Sequence, residues 1–587
     1  MAHQEKISLK TFWETVEQRL TTCSADQLRA ILRAMAQETP PSGRSVFLQK
    51  LEPPEDLAST AAQIIQQADL LAEIDDFSAE LQDTMETAEY WEEHSGWGDY
   101  YDDEDSLGPY HELVEPLSGL FDRAAAAFDY GELALAQTAY QKLFAVLSLE
   151  DDYGRGIRAY DLTAVDLNEA VARYLRTVYE LEPLDHRPTA LFEQMRSGLT
   201  QTRPMLKDLI QISPQPLPDQ AQFLPAWIAF LRTQSGREAD SWLREAVWLS
   251  QGIAGLETLA RTEGNQRPRA YLDWFTALAD EDQHQAVIEA VQEALRVLPA
   301  DLPLRAAIAD HLCEAAARLN QPEVLRAGRW QAFLAKPTLA RLLDLWEAAP
   351  VSEERTRLMQ QAAHHIRDYL ARSASRHGPS YLWPGDDGLE RPAVIDKSVL
   401  AHAWLLAEEV EAAHQLAAGE NVLGWSSSGN AQSLVVAACL VLLSEKTPGA
   451  LPSNLAQLWQ WSLQSSAGFP YSGTDTIQTR LEPIYTELLS SKLLSRDQQE
   501  KFLAWCLDVA QRRAAAIVGN QYRKSYGKAA TVTVACAEVL RLRGDQQEAT
   551  RFVDDIRQRF PRHSAFQAEL KAALQRMGQK AANPTRV

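Results

Sequence analysis

The spacing of apolar residues constrains this chain most, because it is helical almost everywhere. In the first segment Leu9, Phe12, Trp13, Val16 and Leu20 fall at i, i+3, i+4, i+7 and i+11, which is one face of a helix. Ser24 followed by Gln27 forms a capping box for a second helix, with Leu28, Ile31, Leu32 and Met35 on its apolar face. Pro40 and Pro41 end it, and further helices are expected over residues 45–51 and 57–89. No segment carries the sustained Val, Ile and Thr alternation of a strand. The predicted fold class is therefore all-α. A chain of 587 residues has room for about four domains or one long repeat array. At 45% hydrophobic and 24% charged residues it is ordinary globular material, not a disordered or collagen-like chain, over most of its length.

Helices come in pairs. Residues 121–147 (FDRAAAAFDYGELALAQTAYQKLFAVL) read as helix, turn at Gly131, helix, with Ala136, Tyr140 and Leu143 facing inward. Residues 535–566 repeat the pattern. Gly544 and Asp545 make the turn, Ala549 and Phe552 point inward, and Pro561 closes the second helix. These two hairpins resemble tetratricopeptide-type repeats. In that family a small turn residue lets two antiparallel helices approach and an alanine fills their crossing. The resemblance implies hairpins stacked as an α-solenoid, with degenerate repeats, since the Trp and Leu-Gly signature positions are missing. Residues 322–350 read as two helices broken at Lys336 and Pro337. Residues 396–419 read as one helix ended by Gly419, and residues 480–494 and 498–519 as another pair. WQAFLAKPTLARLLDLWEAAP and VGNQYRKSYGKAATVTVACAEVLRLRG resemble the helical extensions of uncharacterised bacterial proteins that carry a SWIM zinc finger. The finger's CxC and CxH pairs are absent, so the resemblance implies a helical body and no metal function.

Charge divides the chain into five expected regions. These are a helical N-terminal unit (1–85), an acidic aromatic loop (86–115), a repeat region (116–350), a helix with an irregular connector (351–395), and a C-terminal repeat region (396–587). Residues 51–122 hold no Lys or Arg and 21 Asp and Glu, against a net charge of −24 for the whole chain. Residues 511–587 hold 15 Lys and Arg against 6 acids. The acidic centre also carries Tyr90, Trp91, Trp97, Tyr100, Tyr101 and Tyr110. A solvating tract is poor in aromatics, so this stretch is expected to dock, on its own body or on a basic partner. Asp102, Asp103, Glu104 and Asp105 could attract a divalent cation, but EF-hand spacing is absent. At the other end Arg512, Arg513, Tyr522, Arg523, Lys524, Tyr526 and Lys528 form a basic, aromatic run suited to an acidic partner or to phosphate. The overall acidity argues against a nucleic-acid coat or an anionic membrane as the main target.

The termini and cysteines narrow the chemistry. MAHQEKISLKTFWETVEQRL has no basic stretch followed by an apolar run, so no signal peptide is expected. The most apolar run, residues 434–443, has ten residues against the ~20 a membrane span needs. A cytoplasmic protein is expected. Cys23, Cys313, Cys439, Cys506 and Cys536 are odd in number and far apart, which predicts buried thiols and no disulfide or zinc framework. No phosphate loop, GxGxxG, GxSxG or HExxH is present, and GWSSSG at residues 424–429 reads as a loop and helix start. No metal or cofactor is expected. His364, His365, His402 and His414 read as surface or core histidines. His377-Gly378 with Ala438-Cys439 resembles the His-Gly and Ala-Cys pairs of clan-CD cysteine peptidases. A His377/Cys439 dyad is the enzymatic alternative, although the flanking residues are helical where that family has strands. The leading expectation is a non-enzymatic scaffold or adaptor for another protein. Its contacts would be residues 87–112 and the run from Tyr522 to Lys528. A nucleic-acid accessory role for the basic run is the third reading.

Overall fold

The computed structural model describes residues 67–94, 108–151, 154–197, 204–349, 351–373, 389–392, 394–427, 429–467, 474–491 and 493–577, with single positions between 18 and 35. The described residues are mostly helical, with no strand among them. The chain forms two compact units, residues 1–262 and 263–587.

In the first unit α1 (Gln67–His94) precedes a 3-10 turn (Gly108–Leu113). Then come α2 (Val114–Asp129), α3 (Leu133–Val146), α4 (Leu167–Leu181), α5 (Arg187–Arg196), α6 (Leu206–Gln211), α7 (Gln220–Thr233) and α8 (Arg237–Glu263), which reaches the boundary. Leu70, Ile74, Phe77, Leu81 and Met85 make a buried stripe on α1, at the spacing that places residues on one helix face. The acidic side of α1 is not left to solvent alone. Glu73 pairs with Arg123 of α2, and Asp75 with Lys142 of α3. Tyr110 is buried and its hydroxyl donates to Asp151 at 3.0 Å. The flanks of the acidic stretch thus dock on their own unit. The capping box at Ser24 and Gln27 forms as expected, at 2.8 and 3.3 Å. Ile31, Leu32 and Met35, expected on the apolar face of that helix, are exposed.

The second unit holds α9 (Arg269–Asp280), α10 (His284–Val297), α11 (Arg305–Arg318), α12 (Pro322–Ala335), α13 (Leu339–Ala348) and α14 (Ser352–Ser373). It continues with α15 (Lys397–Leu406), α16 (Val410–Ala418), α17 (Gln432–Ser444), α18 (Ser453–Ala467) and α19 (Thr474–Ser491). It ends with α20 (Arg496–Gly519), α21 (Tyr526–Leu542), α22 (Gln546–Arg559) and α23 (Ser564–Arg576). The apolar run of residues 434–443 is the middle of α17, every residue of which is buried. Among the described residues no helix is long and apolar enough to cross a membrane.

One turn recurs through both units. Gly131, Asp282, Asn320, Glu408, Gln521 and Gly544 each have positive φ. The residue after each donates its amide to a carbonyl five positions back: Glu132 to Ala127, Gln283 to Leu278, Gln321 to Ala316, Glu409 to Trp404, Tyr522 to Ile517 and Asp545 to Leu540, at 2.8–3.0 Å. This is the Schellman closure, which satisfies the orphan carbonyls of a helix end. In all six the next helix starts after three residues, as a 3-10 turn (Arg523–Ser525) in the case of Gln521. The two hairpins read from Gly131 and Gly544 form as expected, with Ala136, Tyr140, Leu143, Ala549 and Phe552 buried. The break at Lys336 and Pro337 also forms. The single helix expected over residues 396–419 is instead a hairpin, α15 and α16, turned at Glu408 with φ 60°.

Candidate functional site

The sequence-derived contact residues divide sharply. Tyr90 and Trp91 fall within the last turns of α1. Trp97, Tyr100, Tyr101, Asp102, Asp103, Glu104 and Asp105 lie outside the described residues, as does His377. In the basic run Tyr522 is 51% exposed, and Arg523, Lys524 and Lys528 are exposed. Tyr526 does not join that surface. It is buried, with its ring edge-on to Phe566 at 5.9 Å. Arg512 is exposed and paired with Asp508 at 2.8 Å.

Lys528, Tyr522 and Arg513 meet at a cavity of about 310 Å³, whose other walls include Trp425, Ser426 and Ser525. Three local structures place them. Residues 423–427 form a loop in which Gly424 takes φ 80°, a conformation that side chains resist. Asn430 Nδ2 ties the loop by donating to Asn421 O at 2.7 Å and Leu423 O at 2.9 Å. Trp425 is buried, its indole N–H donating to Gln432 Oε1 at 3.2 Å, while Gln432 Nε2 donates to Ala417 O and Glu420 O. The second structure is the end of α20, which carries Arg513. The third is the Schellman turn at Gln521, which sets Tyr522 at the cavity. A 3-10 turn (Arg523–Ser525) then leads into α21, and the Ser525 hydroxyl makes no cap bond to it.

Arg513 dominates the electrostatics. It is 4% exposed, its guanidinium lies 4.0 Å over the Trp425 ring, and one terminal nitrogen donates to Val422 O. Its Nε has no hydrogen-bond partner. Among the described residues no carboxylate lines the cavity. Burial pulls the guanidinium down to about 10, because a charge removed from water favours its neutral form.

Cys439 sits elsewhere, fully buried in α17. The thiols of α17, α20 and α21 share this interior. Cys506 S–H points to Val436 O at 3.9 Å, and Cys536 S–H to Cys506 O at 3.8 Å. Burial, with Cys439 alongside, pushes Cys506 well up, and burial alone pushes Cys536 up to about 12. A nucleophilic cysteine needs a thiolate open to substrate, and Cys439 is instead enclosed on a helix.

The sequence showed Tyr522, Lys528 and Arg513 as parts of a basic run. It gave no sign that Trp425 would roof Arg513. The only local hint was the glycine-flanked Trp425 followed by serines. No protein-family model and no curated protein matches the chain.

Proposed function

We propose that the chain is a helical-repeat scaffold of α-solenoid type that presents its surfaces to another protein. The observation that carries this reading is the recurrence of one three-residue Schellman turn at six hairpins. A repeated hairpin cannot bury its apolar face alone and gains its core from neighbours. The product is extended surface and not one deep reaction cleft. The contact edge is the Tyr522–Lys528 run. Tyr522, Arg523, Lys524 and Lys528 are exposed there, and a partly exposed tyrosine beside unpaired cations suits an acidic partner segment, steered by charge and anchored by the ring. The acidic stretch of residues 87–112 is the complementary contact, for a basic partner.

Crosslinking capture from the native host tests this. One protein should be recovered with the wild type and lost with Arg523→Glu/Lys524→Glu, with recovery falling as salt rises. Neutralising Asp102, Asp103, Glu104 and Asp105 together should weaken capture of a basic partner in the same salt-dependent way. Equal recovery from all versions at low and high salt would remove the reading.

A further inference from the structure

The cavity at Trp425 carries more than the edge of a docking surface. Its polar lining consists of donors. Arg513 and Lys528 supply two cations, and Ser426, Ser525 and Tyr522 supply three hydroxyls. Ser525 is also the N-cap of α21, so the positive end of a 17-residue helix starts at the cavity wall. The dipole gives that end positive potential, although its first amide, Tyr526 N–H, is already bonded to Arg523 O. A helix end alone would mean little, but Arg513 is an independent sign. It is buried, it lines the cavity, and among the described residues no carboxylate lines the cavity with it. A buried cation without a counter-charge is expensive to keep, and an anion entering from the cavity offsets that cost.

We propose that this cavity binds a phosphate group, held by Arg513, Lys528 and the Ser525 end of α21. A carboxylate brings one charge on a planar group. A phosphate monoester brings close to two charges and three acceptor oxygens, which matches two cations and hydroxyls arranged around a helix start. Leu423, Ile517 and Trp425 give the same cavity an apolar side for the organic part of the ester. Its volume of about 310 Å³ lies at the small end of ligand pockets, sized for one phosphorylated group and little more. The inference stands apart from the docking reading. A chain that binds phosphate yet ignores charge reversal at Arg523 and Lys524 keeps this proposal and loses the other.

Titration calorimetry on the full chain, in buffer free of sulfate and phosphate, tests it with inorganic phosphate, phenyl phosphate and a short phosphotyrosine peptide. Wild type should bind the first two. Lys528→Gln and Ser525→Ala should each weaken binding, the lysine change by about tenfold or more, the usual worth of a charged hydrogen bond. Arg513→Met should abolish it. Should Arg513→Met fail to fold by circular dichroism, the two milder variants decide. A peptide that binds more tightly than phenyl phosphate places the group on a protein, and equal binding places it on a small metabolite. Either supports the site. No heat from any probe, or affinities unchanged within twofold by Lys528→Gln and Ser525→Ala, overturns it.

Discussion

His402 should make the second unit acid-labile. It is fully buried on α15, between Tyr485 of α19 and Ser466 of α18. Its Nδ1 lies 2.7 Å from Tyr485 Oη and its Nε2 2.9 Å from Ser466 Oγ. Ser466 Oγ donates to Leu463 O at 2.9 Å, so it accepts from Nε2–H. Nδ1 is then left to accept from the Tyr485 hydroxyl, which fixes a neutral tautomer with both nitrogens satisfied. Protonating Nδ1 would make the Tyr485 hydroxyl accept instead of donate and would bury a charge. Burial accordingly holds the imidazole down at about 3, against about 6.5 in an unfolded chain. A group depressed on folding gives its full stability above the unfolded value and loses it as pH falls from about 6.5 toward 3. The slope is at most about 1.4 kcal/mol per pH unit, so roughly 2–3 kcal/mol should vanish between pH 6.5 and 4.5. Urea unfolding of the full chain, with hydrogen exchange following peptides from α15, reads this out at pH 7.0, 5.5 and 4.5. His402→Gln cannot titrate and starts from a lower stability, but the gap to wild type should shrink by about 2–3 kcal/mol across that range. Parallel pH profiles for the two proteins would refute the reasoning.

Four further outcomes follow from the helix ends, turns and thiols. Glu538 of α21 accepts from the Asn454 and Leu455 amides at 3.3 and 2.9 Å, capping α18 from outside it. Glu245 of α8 caps α6 in the same way, through the Leu206 and Lys207 amides at 2.8 Å. Glu538→Gln puts an NH2 against one of these donors and should cost about 1–3 kcal/mol in urea unfolding, and a loss within error of zero would contradict the cap. At the turns, Gly544→Ala should cost about 1–2 kcal/mol, because a side chain resists φ 91°. Glu408→Gly should leave stability unchanged or raise the melting temperature. Cys439, Cys506 and Cys536 should stay unlabelled by an aromatic disulfide reagent until the chain unfolds, and prompt labelling of all five thiols would show that the interior is open.

The helical hairpins were legible where glycine marked the turn, at Gly131 and Gly544. They were silent at Asp282, Asn320, Glu408 and Gln521, which take the same positive φ. Nothing local warns of Glu408, since the residues around it are good helix formers that read as one continuous helix. The turn forms there because Ser398 to Leu406 are all buried. A straight continuation would carry that all-round apolar helix out of its core, so tertiary packing overrides propensity. The site was half legible for a similar reason. A run of basic and aromatic residues flagged Tyr522 and Lys528, yet the same run included Tyr526, whose burial depends on Phe566 one hairpin away. The stacking of Arg513 on Trp425 depends on α20 lying beside a loop distant in sequence, a contact that periodicity cannot show.

The other buried arginines give Arg513 its meaning. Arg176 donates to Leu209, Gln215 and Pro216 carbonyls and pairs with Glu180 at 2.6 Å. Arg187 meets Glu182 O, Pro218 O and Asp219. Arg305 has no carboxylate, but it closes the end of α10 through Leu295 O and Leu298 O at 2.8 and 2.7 Å. Each spends its donors on carbonyls that a helix end or loop would otherwise leave orphaned, and none of these three lines the cavity at Trp425. Arg513 has one carbonyl, one aromatic face and an enclosed Nε, and it lines open volume. Arg173, Arg543 and Arg576 also carry a buried Nε with no hydrogen bond, so what sets Arg513 apart is the open volume it lines together with Lys528. Lys528 and the start of α21 add positive potential at that cavity, so two cations share one opening and the arrangement suits an anion from outside the chain.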